Sequence, residues 1–144
     1  MKECSPLRKV LGHEARAAIA LLVGRYAHLA DYGEVADWVA LFTEDARVAR
    51  PGLLLQVKED LADYLTRRRA QVTVRHQLFN VVADGNADEA HAECYAQIIE
   101  VASPPRILLT ARYQFRVVRT HTCWRIADVR IEPDTPPDST AASE

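Results

Sequence analysis

From residue 72 onward the chain consists of four long β-type runs, and every helical pattern lies before them. The runs are Val72–Ala83, Ala90–Ala102, Arg106–Thr120 and Thr122–Glu132. Their connections are Asp84-Gly85-Asn86-Ala87-Asp88, Ser103-Pro104-Pro105 and a tight turn near Thr120-His121. A parallel crossover needs a dozen or more residues, so such short connections imply antiparallel neighbours. Upstream, apolar residues recur at helical spacing over His13–Ala30 (Ile19, Leu22, Val23, Tyr26), Glu34–Phe42 (Val35, Trp38, Val39) and Val57–Arg69 (Leu61, Tyr64, Leu65). Asp45–Ala49 reads as a short strand closed by Pro51-Gly52. Helices first and strands afterwards describe an α+β domain, with helices packed on one face of a curved antiparallel sheet. A bent sheet partly wrapped by helices leaves a conical pocket.

The 144 residues suffice for one domain with a real core. The net charge of −2 offers no basic excess to neutralise phosphates, so nucleic acid is not an expected partner. Arg67-Arg68-Arg69 is a local basic cluster, read as the solvated end of the third helix, where cations meet the negative end of the macrodipole. Cys4, Cys94 and Cys123 are odd in number and lack metal-ligand spacing, which argues against a disulfide framework and a zinc site. Cys94 and Cys123 fall in strand text and read as small buried thiols. No signal peptide or membrane span is legible, so a reducing cytoplasm is the expected location. Residues 1–12 read as an N-terminal arm, and 133–144, rich in Pro, Ser, Thr and Ala, as a disordered tail.

Strand alternation in Val72–Ala83 places His76 and Asn80 on the face of Val72, Val74, Leu78 and Val82. An imidazole aimed at an apolar interior is costly unless paired. Either a structural hydrogen bond or acid–base chemistry accounts for it. Asp31 is the candidate partner, closing the first helix. Asp31-Tyr32-Gly33-Glu34 also has the form of a capping arrangement for the second helix, and both readings stay open. In the functional reading, the carboxylate fixes the imidazole tautomer and His76 is a general base. Tyr26 lies five residues before Asp31, about 140° away around a helix, and could donate a proton to a leaving oxygen. Asn80 could orient a substrate carbonyl. Tyr113, Phe115, Trp38 and Tyr64 complete the set of candidate pocket residues, each also readable as core. No phosphate loop, dinucleotide fingerprint or nucleophile elbow appears, and no cofactor is expected.

The pattern Arg25-Tyr26-x4-Asp31-x-Gly33-Glu34-x7-Phe42-x2-Asp45-Ala46 resembles the opening of SnoaL-like proteins in the NTF2-like superfamily. The resemblance continues through Arg75-His76-x3-Asn80, Ala90-x-Ala92, Tyr113 and Trp124-Arg125-Ile126-Ala127, and covers residues 13–132. It implies a cone-shaped α+β barrel with three N-terminal helices, a deep apolar pocket, and assembly as a homodimer, or less often a homotrimer. It also implies kinship with polyketide cyclases, scytalone dehydratase and steroid isomerases, several of which use no cofactor. Asp31 and His76 fall on the Asp–His pair of the dehydratase-like branch.

The resulting expectation is a lyase or isomerase that dehydrates, isomerises or cyclises a small, apolar, oxygenated molecule such as a polyketide or terpenoid intermediate. Epoxide hydrolysis through Asp31, a ligand binder, or a non-catalytic subunit beside an oxygenase large subunit are the alternatives. The chain departs from the family at Val129, where an Arg often follows the final-strand Trp. Arg130 is directed to the opposite face by alternation. Val57 stands where a Gly is frequent, and Phe115 where a polar residue is frequent.

Overall fold

The computed structural model describes residues 11–121 and 123–135. Most of the expected arm and tail therefore lies outside the described residues, as does Cys4. The parts that are described belong to the fold: Leu11 is buried in the core, and Pro133 ends the last strand.

Helix α1 spans His13–Asp31, α2 Val35–Val39 and α3 Lys58–Gln71. The strands are β1 (Phe42–Arg50), β2 (Leu53–Leu55), β3 (Val74–Gly85), β4 (Glu89–Glu100), β5 (Arg106–Thr120) and β6 (Cys123–Pro133). They form one sheet in the order β2-β1-β6-β5-β4-β3. The fold is α+β, with the helices against a curved sheet whose two edge strands, β2 and β3, do not pair, so the barrel is open.

Three features correct the sequence reading of this sheet. First, β1 runs parallel to β6, with Val48 opposite Val129, so the sheet is mixed rather than wholly antiparallel. Short connections dictate antiparallel pairing only from β3 to β6; β1 reaches its neighbour through the rest of the chain. Second, Phe42 opens β1 instead of closing α2, and β2 is an additional strand. Gly52, at φ +79°, makes the tight turn between β1 and β2 that a side chain would strain. Third, the β3–β4 register shifts between Phe79 and Val82. Asn80 sits in that irregularity at φ +57°, a conformation Asn tolerates better than most residues. Alternation flips there: Asn80 is exposed, Val81 packs against the core, and Val82 is 64% exposed.

The concave face carries the core. Its β4 residues are small (Ala90, Ala92, Cys94, Ala96), and β5 presents Ala111, Tyr113, Phe115 and Val117 beside them. Ile19, Leu22, Val23 and Tyr26 of α1 are buried over this face, and α1 runs closest to β3. Cys94 is such a core thiol, whereas Cys123 is exposed at the β5–β6 turn. Register shifts also occur in β4–β5 at Ile98/Ile99 and in β5–β6 at Arg116/Val117. Bulges of this kind bend and twist a sheet, which is how six strands curl far enough to form a hollow.

Arg69 reverses the expected role of the basic cluster. Its Nε donates to the Ala30 carbonyl at 3.0 Å, one Nη to Gly33 at 2.7 Å, and the other to Leu29. The Leu29 and Ala30 carbonyls are among those left without intrahelical partners at the end of α1, and Gly33 lies in the turn just beyond it. The guanidinium therefore closes the C-terminus of α1 from α3, and it does so next to Asp31. Gly33 lies against Leu29, where a Cβ would fall 2.4 Å from Leu29 Cδ2, so the turn after Asp31 is tight by packing.

Candidate active site

Asp31 is the last residue of α1, and its carboxylate contacts His76 on β3 twice. Oδ2 accepts from the His76 backbone N–H at 2.8 Å, and Oδ1 lies 2.6 Å from Nδ1. The side chains are nearly dry, at 5% exposure for Asp31 and 18% for His76. An ionised carboxylate only accepts, so Nδ1 carries the proton and Nε2 holds the lone pair in the neutral ring. Asp31 makes no capping bond to α2, whose N-cap position is Glu34 and lacks a side-chain hydrogen bond. Of the two readings of Asp31, only the contact with His76 is realised.

His76 lines a cavity of about 230 Å³ between the helices and the concave face. Tyr26, Trp38, Tyr64 and Tyr113 line it too, with aliphatic walls from Val48, Leu65, Ile98, Leu109 and Ile131. Tyr26 is the hub of an aromatic cluster. Its ring centroid is 5.3 Å from Phe115, 5.6 Å from Trp38, 6.3 Å from Tyr113 and 6.5 Å from His76, mostly edge-on. Tyr26 and Asp31 thus meet His76 from two directions, despite their separation around α1. Burial, followed by the nearby Tyr113 phenol, pushes Tyr26 well above its ordinary value of 10.0. Burial pushes Tyr113 up as well. Both phenols therefore remain protonated donors.

Two of the expected pocket residues are elsewhere. Phe115 is fully buried behind the wall, packed on Tyr26 and Tyr113 rather than lining the cavity. Asn80 is exposed beyond the bulge and is not among the lining residues, so the alternation that aimed it inward fails at that point. Val129 is core, and Arg130 faces a separate groove on the other side of the sheet with Asp128, Arg116 and His91. Sequence reasoning missed Arg50 and Leu53 at the β1–β2 turn and Arg68 on α3, which all line the cavity. Only Arg68 carried a signal, the basic cluster, and there it was read as solvent-facing.

The profile of the SnoaL-like domain matches residues 13–130. The chain belongs to the SnoaL-like family. No curated protein sequence matches it. Among solved structures it is similar to Rv3472, a protein of unknown function from Mycobacterium tuberculosis. That match has 22% identity and a TM-score of 0.79, covering 85% of this chain and 78% of the other. It is also similar to a protein of unknown function with a cystatin-like fold from Nostoc punctiforme. There the identity is 22% and the TM-score 0.79, covering 89% of this chain and 96% of the other. A third is a candidate scytalone dehydratase from Novosphingobium aromaticivorans, at 20% identity and TM-score 0.73, covering 83% of both chains. At these identities the likeness to solved structures is one of fold, the NTF2-like, cystatin-like architecture.

Proposed function

We propose that this SnoaL-like protein is a cofactor-independent acid–base enzyme: a dehydratase, isomerase or cyclase acting on a small, largely apolar, oxygenated molecule. One observation carries the reading. Asp31 fixes the His76 ring through Nδ1 at 2.6 Å and leaves Nε2 as the basic nitrogen of a residue that lines a cavity with aromatic and aliphatic walls.

In the proposed chemistry, Nε2 removes a proton from carbon next to a carbonyl, and the electron pair moves into the enolate. Asp31 stabilises the imidazolium that forms. In a dehydration, the enolate re-forms the carbonyl as the C–O bond breaks, and the imidazolium returns its proton to the departing hydroxide as water. Isomerisation returns it to a different carbon instead. Tyr26, held above its ordinary value, keeps its proton and acts as a hydrogen-bond donor to the substrate oxygen rather than as the acid. The double hold on His76 leaves Asp31 poorly placed to activate water against an epoxide, which favours the histidine-based route.

A polyketide-like or terpenoid-like intermediate is the proposed substrate class, and a cytoplasmic homodimer the proposed state. Light scattering of the purified protein reads the oligomer directly; co-purification with an iron-containing large subunit would support the subunit alternative.

The test of the chemistry does not need the natural substrate. With 2-tetralone, an enolisable two-ring ketone, in deuterated buffer, mass spectrometry should show enzyme-dependent deuterium uptake. Uptake should disappear in His76→Ala and in Asp31→Asn. Uptake that persists in His76→Ala would remove His76 as the base.

A further inference from the structure

Two arginines line the cavity, and neither is engaged by a carboxylate among the described residues. Arg50 ends β1 where the chain turns at Pro51-Gly52, and Arg68 reaches the same cavity from α3. Several other arginines are occupied: Arg69 on the carbonyls that end α1, Arg106 on Glu100, Arg112 on Glu93 and Glu132, Arg116 on Glu89. The Arg50 guanidinium lies 6.0 Å from the centroid of the Tyr64 ring, itself part of the cavity wall. Arg50 is exposed, and a cation–π contact of this kind tethers its charge at the cavity rim. Its field reaches the interior, where it opposes the upward shift of both Tyr26 and Tyr113.

A further donor stands unused in the same wall. The indole N–H of Trp38 is buried and has no acceptor among the described residues, although Trp38 lines the cavity. A buried donor left unpaired is costly, and a ligand oxygen or a water would satisfy it. The donors of this wall thus outnumber its acceptors. Arginine offers a planar fork matched to a carboxylate, and it keeps its charge at any working pH.

We propose that the cavity takes a ring compound bearing a carboxylate, with the anionic end against Arg50 and Arg68 at the mouth and the rings inside against Trp38 and Tyr26. The volume of about 230 Å³ equals roughly eight waters at liquid density, room for one or two fused rings. The two arginines hold the anionic end so that the reacting carbon faces His76. They also supply positive charge near a developing enolate, a role that neither Arg of β6 fills, because Arg125 donates to the Ala40 carbonyl and Arg130 faces the other side of the sheet, and neither lines the cavity.

The inference rests on reading this cavity as the substrate site, and its test reads binding alone, so it stands or falls separately from the proton chemistry. Calorimetry on the full chain with 2-naphthoate and the neutral isostere 2-naphthamide should give at least about tenfold tighter binding of the acid. The double variant Arg50→Gln/Arg68→Gln should bind the two probes alike, and His76→Ala should keep the preference. Leu53→Trp, which fills the mouth from β2, should lose both probes. Equal affinities in the wild type would overturn the proposal, as would a preference that survives in the double variant or no binding of either probe at about 1 mM. Undiminished binding in Leu53→Trp would show that the probes sit elsewhere, and would overturn the site rather than the charge preference.

Discussion

Asp31 holds His76 at two points, the ring through Nδ1 and the strand through its backbone N–H. A carboxylate can accept both bonds, whereas an amide can accept one and must donate with its other end. Asp31→Asn therefore turns its NH2 toward Nδ1 and inverts the tautomer, placing the proton on Nε2. Nitrogen-15 spectroscopy of the ring should show Nδ1–H in the wild type and Nε2–H in the variant. Proton abstraction should fall by about 10²–10⁴-fold. The stability cost should be about 1–3 kcal/mol, since one bond to the strand is retained.

Arg69 is a stability residue with a site-specific reach. It satisfies three carbonyls around the end of α1, the turn that carries Asp31. Arg69→Gln should lower stability by about 1–3 kcal/mol, a fall in Tm of roughly 3–10 °C for a chain of this size. Arg69→Lys should not restore it, because a single ammonium cannot reproduce the planar fork. A Tm within about 1 °C of wild type, at the resolution usual for such scans, would mean that solvent replaces the guanidinium.

Alkaline pH should act on the core phenols. Tyr26 and Tyr113 have folded values raised above the ordinary 10.0 by burial, so the folded state binds their protons more tightly than the unfolded state. Their contribution is fully present below pH 10 and is lost as pH rises past it toward the folded values. Denaturant midpoints should thus hold on approach to pH 10 and fall beyond it. Tyr26→Phe should blunt that fall, and phenolate absorbance assigned to Tyr26 should appear only with unfolding.

The thiols should react unequally. Burial, with Glu93 nearby, pushes Cys94 up to about 12, and the thiolate is the reactive form. Iodoacetamide at neutral pH should leave Cys94 unmodified in the native protein and alkylate it in denaturant. Peptide mapping with native labelling of Cys94 would show that β4 opens locally.

Asn80 marks where sequence reasoning stopped working. Period-two alternation was a sound guide to β3 as far as Leu78, and helical periodicity located all three helices to within a few residues. A bulge adds a residue without leaving a hydrophobic signature, so the inward assignment of Asn80 and Val82 failed together. Pairings set by distant segments were equally hidden. Nothing local announces that β1 lies along β6, or that Arg50, Arg68 and His76 share one wall. The Asp31–His76 contact was open to inference because each residue sat at an element end or on an apolar face where its polarity demanded a partner. Asn80→Gly should be nearly neutral to stability and to proton abstraction, whereas Asn80→Val should cost about 1–2 kcal/mol through the left-handed backbone. A denaturation series on the two variants separates backbone from side-chain effects.

The parallel pairing of β1 with β6 also governs when the hollow can exist. Apart from the short β2, the early strand β1 has only β6 as a sheet neighbour, and β6 follows β3, β4 and β5 in the chain. Arg50 and Leu53, carried by β1 and β2, stay unsupported until almost the whole domain has been synthesised. Nascent chains cut short before Cys123 can assemble β3, β4 and β5 but have no strand on which to hang the mouth. The chamber therefore cannot close before β6 has been made, and a chain released earlier would be a sheet without a door.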